Sequence, residues 1–452
     1  MSDFIPQYEQ VSLGDLCMHM ERAPKLNECC ERLVHPSGMT LLHIPKQMTQ
    51  SYALLVVRFG ARDVAFRVNG KEVRVPDGTA HFLEHKMFAC PDGTDANEAL
   101  SSLGAESNAW TDYDRTAYLF STTEPPKEAL GVLLDFVLTP YFTEQNVAHE
   151  RGIIREEISM GEDDPWQQLY EQTMRAVYFS HPIRRRICGT EASIEDISAE
   201  LLHECHRFFY RPDNMYLVVC GDVDMKDVVS AVDRALESRP ADMALRRIER
   251  RQYTEPPEVK ERRVSAHANV SRPMLQIAVK DGGMPKDAYG RLKRETAMNL
   301  LSEVLFSRAG GFYNRLFEQG QISPVYSYGF STTADVAYHA ITAETDDVEA
   351  VWQAYLAEIE KAQREGLDRS EIERYRRVLY ASFASEFDFP EDIADLAAEA
   401  EGNGCGVFDA LRAIAEVSAD ELDELLYSVF DEQSTTLSVL YPKEQQNEKG
   451  GC

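Results

Sequence analysis

Two histidines and a glutamate stand within one short string, His81-Phe82-Leu83-Glu84-His85. On a helix, residues four apart lie one turn from each other and project from the same face. The imidazoles of His81 and His85 can therefore take two neighbouring positions on one tetrahedral Zn²⁺. Glu84 shares that face and is placed to take a proton from a water activated there. The chemistry implied is hydrolysis, with the metal as Lewis acid and Glu84 as general base. H-x-x-E-H is the inverted zincin order. A pair of packed or solvated helix histidines is the plainer account, and the string alone does not discard it.

A catalytic zinc needs a third protein ligand and an open position. A downstream helical pattern, Asn146–Met160, offers Glu150, Glu156 and Glu157, with Glu162 just beyond. Glu150 and Glu157 are two turns apart and share a face, whereas Glu156 lies about 100° away from Glu157. One of the pair can bind the metal while the other holds a ligand histidine by its second nitrogen. An ordinary solvated acidic face explains the same spacing.

Positioning these groups requires a scaffold, and the chain repeats one. Met39–Pro45 and Tyr52–Gly60 are apolar runs of strand length. Gly78–Phe88 has helical spacing, and stretches within Ser107–Thr123 read as a hairpin turning near Asp112–Arg115. Helical patterns follow at Glu128–Leu138 and Asn146–Met160; Asp163-Asp164-Pro165 breaks the second, and a helix resumes from Trp166. Asn214–Asp224 reads as a buried closing strand and Met225–Leu236 as an amphipathic helix. Beyond Ser238–Glu261 the order begins again, with strands, helices over Val348–Leu379 and Ile393–Phe430, and a closing strand TTLSVLYP. The expectation is an α+β fold repeated twice, with domains at 1–237 and 262–452 joined by a linker at 238–261.

Composition sets the outer limits. The chain has 452 residues, with 47 Lys+Arg against 76 Asp+Glu and a formal charge of −29. This length suits two or three domains. A surface so acidic disfavours nucleic acid and anionic membrane as partners, and no apolar run approaches the roughly 20 residues that span a bilayer. The N-terminus lacks the pattern of a secretion signal. Nine cysteines at irregular spacings, with no CxxC pair, point to a reduced protein and a cytoplasmic location.

With these residues in view, the chain resembles the M16 zinc metallopeptidases, and within them the bacterial two-domain members that work in pairs. GTAHFLEHKMF is similar to the family's metal helix and ERGIIREEISM, followed by Asp-Pro, to its second one. HPIRRRICGTEASI resembles the family's His-Pro…Gly-Thr loop, and FYRPDNMYLVVCGDVD its closing strand. The resemblance implies two homologous domains, each a mostly antiparallel sheet with helices packed on it. It implies that His81, His85 and Glu157 bind Zn²⁺, that Glu84 is the general base and that Glu150 is the carboxylate behind the ligands. Asn108 and Ala109 would lie on a strand edge that pairs the backbone of an unstructured peptide.

One departure stands out. Active family members carry an Arg and a Tyr seven residues apart in the second half. Here Tyr326 or Tyr328 can fill the Tyr role, with Tyr326 the substrate-binding candidate, but Gln319 and Gln321 stand where the Arg belongs. The resemblance therefore implies that a homologous partner supplies the Arg/Tyr pair; a homodimer is the alternative assembly. The expected function is zinc-dependent endopeptidase action on short unstructured peptides; the alternative is a non-catalytic peptide-binding subunit of a larger assembly.

Overall fold

Strands Thr40–Pro45, Ser51–Val57 and Met215–Gly221 are buried along almost every residue, which demands cover on both sheet faces. In the computed structural model, which describes residues 5–91, 93–237, 248–333 and 335–443, that cover comes from two sources. The first sheet has eight strands, side by side in the order Gln7–Leu13, Leu16–Ala23, Glu28–Val34, Thr40–Pro45, Met215–Gly221, Ser51–Val57, Thr116–Thr122 and Ala105–Thr111. Leu41, Leu55, Leu217 and Val219 face the helices Lys127–Leu138 and Met225–Glu237, meeting Leu130, Leu133, Val228 and Val232. The alternate residues, Leu42, Leu54, Val56 and Val218, face the other way and pack on Ile393, Ala394, Ala397 and Ala398. Those four belong to the helix Pro390–Asn403, from the second half of the chain.

The second sheet has five strands in the order Arg263–Ala268, Thr435–Pro442, Met274–Lys280, Ala337–Glu344 and Tyr326–Thr332. In each half the last strand inserts into the middle of the sheet, parallel to one neighbour and antiparallel to the other, and every remaining pairing outward to the far edge is antiparallel. The repeat expected from element order is thus a repeat of topology, and the α+β assignment holds. The second sheet receives a helix in return. Pro165–Val177, from the first half, lays Leu169 against Met274 and Leu440 and Met174 against Ala278. Gln172 donates to Ser438 Oγ at 2.9 Å.

Several expectations need correction. Three N-terminal strands, Gln7–Leu13, Leu16–Ala23 and Glu28–Val34, extend the first sheet beyond the elements read from sequence. Val348–Leu379 is two helices, because Gly366 at φ 77 ends the first and Asp368 caps the second. Ile393–Phe430 is three, interrupted by left-handed Gly404 and by the Ser418–Glu421 capping box. The linker lies outside the described residues at 238–247, but its remainder is bound to the fold. Ile248–Arg250 pairs with Ala65–Val68, and Glu255 accepts the N–H groups of Phe179, Ser180 and His181 and a bond from Lys280. The C-terminal tail from residue 444, including Cys452, is also outside the described residues.

Candidate active site

The metal helix, Thr79–Lys86, begins where the chain must turn sharply. Gly78 has φ 90, and a Cβ there would lie 2.5 Å from the Cys188 carbonyl oxygen. Gly189 (φ 77) is placed reciprocally, since a Cβ there would lie 2.5 Å from the Asp77 carbonyl oxygen. Two glycines therefore let the loop after His181-Pro182 press against the start of the helix, so a side chain at either position would displace the histidines. His181 and His206 are engaged away from the helix: the first bonds Asp335 at 2.8 Å and the second the Val137 carbonyl at 3.0 Å.

The second helix, Glu144–Asp163, starts at a reciprocal cap between Thr143 and Asn146 and ends at Asp164, whose side chain then caps the helix at Pro165. Its buried face is Val147, Glu150, Ile154 and Ile158. That stripe separates the glutamates by burial. Glu150 sits within the buried face, Glu157 at its half-exposed margin, Glu156 points to solvent, and Glu162 pairs with Arg186 at 3.2 Å.

Across the gap between the helices, His81 Nε2 lies 3.4 Å from Glu157 Oε1 and His85 Nε2 lies 3.6 Å from Glu157 Oε2. Donor atoms of His81, His85 and Glu157 all fall within 4.8 Å of one another. Ligands about 2.0–2.1 Å from a tetrahedral zinc are separated by roughly 3.3 Å, so two imidazoles and a carboxylate at this spacing fit that ion and leave its fourth position open. The His81 hydrogen bond, with the two imidazole charges, holds the Glu157 carboxyl below its ordinary range despite partial burial.

Glu150 stands behind the three converging donors. Its Oε1 meets His85 Nδ1 at 3.1 Å and its Oε2 accepts from Lys86 Nζ at 2.9 Å. Burial opposes its ionisation, yet the bonds from His85 and Lys86 bring its pKa down to about 2. Burial pushes His85 down too, but its bond to Glu150 and the carboxylates of Glu84, Glu150 and Glu157 raise it overall. A charge-anchored acceptor on Nδ1 leaves Nε2 as the ligand atom. Lys86 was not singled out in the sequence, because a lysine beside a histidine reads as a solvated residue; here it is 5% exposed. Glu150→Ala should weaken zinc binding about 10–100-fold and, by stranding the Lys86 charge, cost roughly 3–5 kcal/mol of stability. Adding Lys86→Met to that variant should recover the stability but not the affinity, measured by thermal melts and chelator competition.

The site opens into a cleft of about 1410 Å³ lined by residues between His81 and Cys188, with Glu84, Asn108, Ala109 and Trp110 among them. Asn108 and Ala109 lie on Ala105–Thr111, the outermost strand of the first sheet, and the Ala109 N–H donates to Asn108 Oδ1 at 2.9 Å. Tyr326 is not brought to the cleft. It is buried among Tyr313 and Tyr328, and its hydroxyl donates to the Phe306 carbonyl at 2.8 Å. Tyr328 donates to Glu303 at 3.1 Å. Thr111, also missed, donates from Oγ1 to Glu84 Oε2 at 2.6 Å.

Comparison with known proteins bears on the chain that carries this arrangement. Residues 45–191 match the family described as insulinase (peptidase family M16), and residues 196–379 match the peptidase M16 inactive domain. Among the described residues, the second stretch contributes none to the cleft lining. The chain is similar to the uncharacterized zinc protease YmfH of Bacillus subtilis, 32% identical over 421 residues, covering 90% of this chain and 95% of that one. Among solved structures it resembles a putative M16-like peptidase from Alicyclobacillus acidocaldarius, with TM-score 0.87, 27% identity and coverage of 92% and 99% of the two chains. A protease from Helicobacter pylori shares the fold at TM-score 0.78 and 19% identity, over 97% of this chain and all of that one, at 100%. Both halves of this chain thus match, in order and nearly end to end, and it belongs to peptidase family M16.

Proposed function

We propose that this chain is a zinc-dependent endopeptidase for short unstructured peptides, and the zinc-bearing subunit of a pair. The observation that carries the reading is the convergence of His81, His85 and Glu157, with Glu84 beside them, at a strand edge that no described residue pairs. Bound there, zinc would supply Lewis acidity, polarising a carbonyl and acidifying water. Glu84 accepts the proton of the attacking water and returns it to the leaving amine. Glu150 and Lys86 keep His85 aimed. The edge at Asn108 and Ala109 holds an extended peptide by its backbone, with the Asn108 side chain yielding the Ala109 N–H to the substrate.

Two observations support a partner. Among the described residues the cleft is lined by the first half alone, and Tyr326 and Tyr328 are engaged within the second half. An Arg/Tyr pair for the oxyanion therefore comes from a homologous subunit closing over the cleft. Self-pairing as a homodimer is disfavoured, since each copy carries −29. Unpaired cysteines among the described residues support a reducing compartment, and we place the enzyme in the cytoplasm; no described helix is long and apolar enough to cross a membrane.

The test is mass-spectrometric cleavage of a mixed peptide library by the zinc-loaded chain, alone and with its homologous partner. Internal cuts that appear or accelerate with the partner are expected. Rapid cleavage by the chain alone would remove the need for a pair, and peptide binding without cuts in either case would make it a binding subunit.

A further inference from the structure

We propose that Thr111 is the positioning residue for Glu84, and that through it the strand edge that receives the peptide also aims the base. This rests on the proposed function, in which Glu84 is the base. Thr111 is the last residue of the edge strand Ala105–Thr111, and its Oγ1 donates to Glu84 Oε2 at 2.6 Å. With Oε2 engaged, Oε1 is the oxygen left to receive a proton. A glutamate at a cleft has several rotamers open to it, and a short bond to an ionised acceptor selects one.

What stands behind Thr111 makes the hold rigid. Its Oγ1 lies 3.3 Å from that of Thr116, its partner across the hairpin. Thr116 is fully buried and donates to the Phe59 carbonyl at 2.9 Å. The Tyr210 and Tyr118 hydroxyls meet at 2.7 Å, and both rings are buried. With their protons given to Glu84 and to the Phe59 carbonyl, the two threonine oxygens rest in contact, and the buried Thr116 backs Thr111 from the core side of the sheet. The turn beyond Thr111 is also pinned, since Asp112 Oδ1 accepts the N–H groups of Asp114 and Arg115, each at 2.7 Å. The strand end is therefore not free to drift away from Glu84.

The experiment compares Thr111→Val, which keeps the shape and removes the hydroxyl, with Thr111→Ser, which keeps the hydroxyl. In the full chain with its partner, T111V should lower kcat roughly tenfold to a hundredfold, the scale of a small misplacement of a catalytic group. KM should stay within about twofold, with zinc content and Tm unchanged, and T111S should recover most of the rate. Crystal structures of the zinc-loaded variants form the second arm. Glu84 should keep one rotamer in the wild type and in T111S, and should spread over several in T111V. An unchanged rate in T111V, a serine variant as slow as the valine one, or Glu84 still in its wild-type rotamer in T111V would overturn the proposal. Wild-type protein without Glu84-dependent turnover would instead defeat the functional reading, and the crystallographic arm would still decide whether Thr111 holds Glu84.

Discussion

Glu84→Gln should leave zinc content and thermal stability at wild-type levels while lowering peptide turnover by at least about 10²–10⁴-fold, the usual contribution of a positioned general base. The amide keeps the shape of the carboxylate and can still accept the Thr111 bond, so nothing in the packing is lost. What is lost is the ability to carry a proton from water to the leaving amine. The metal is untouched because Glu84 is not among the converging donors; those are His81, His85 and Glu157. The check is metal analysis beside single-turnover cleavage. A Gln variant that cleaves at the wild-type rate would remove Glu84 from the mechanism. Glu157→Gln sets the contrast, since it takes away the one charged ligand and should lose both zinc and turnover.

The second large effect concerns the two halves as folding units. Each lends the other a helix: Pro390–Asn403 covers the first sheet and Pro165–Val177 the second. Residues 1–237 expressed alone would expose Leu42, Ile44, Leu54, Val56 and Val218. At about 1.5–3 kcal/mol each, that is roughly 8–15 kcal/mol, as large as the whole stability of a typical domain, about 5–15 kcal/mol. The seam adds charge pairs that would be orphaned, with Glu401 on Arg32 at 2.8 Å and Arg58 at 3.3 Å, and Asp335 on Arg62 at 2.8 Å. Either half by itself should therefore lack near-UV circular dichroism and a cooperative melt, while the two co-expressed as separate chains should regain both. A cooperative melt from residues 1–237 alone would show that the lent helix is dispensable.

The site was legible where its chemistry is local. His81, Glu84 and His85 fall within five positions, so helix geometry alone juxtaposes them. The division of labour between Glu150 and Glu157 was legible only through family resemblance, because spacing puts both on one face; the structure separates them by burial. Lys86 and Thr111 had no signal. A buried lysine becomes informative only when the carboxylate that receives it is known, and a threonine ending a strand looks like any other. Tyr326 misled for a related reason. Its alternation with Tyr328 and Phe330 marks a strand, but periodicity does not say which face meets the core. The fold follows the same rule. The unbroken apolar runs of Ser51–Val57 and Met215–Gly221 announce strands buried on both sides, while nothing in them names the helix that does the covering. The N-terminal strands escaped notice because QYEQVSL and ECCERLV carry charge into half-exposed positions.

The outer edge of Ala105–Thr111, which no described residue pairs, has a consequence for which sequences the proposed peptide-binding mode can accept. A strand edge meets the main chain of its guest at every second residue. Proline has no N–H to give, so in the proposed binding mode it is tolerated only at the alternate positions, whose amides face away. Selectivity on this edge is therefore written first in imino acids and N-methyl groups: a proline moved by one residue turns a good peptide into a poor one although composition, charge and hydrophobicity are unchanged.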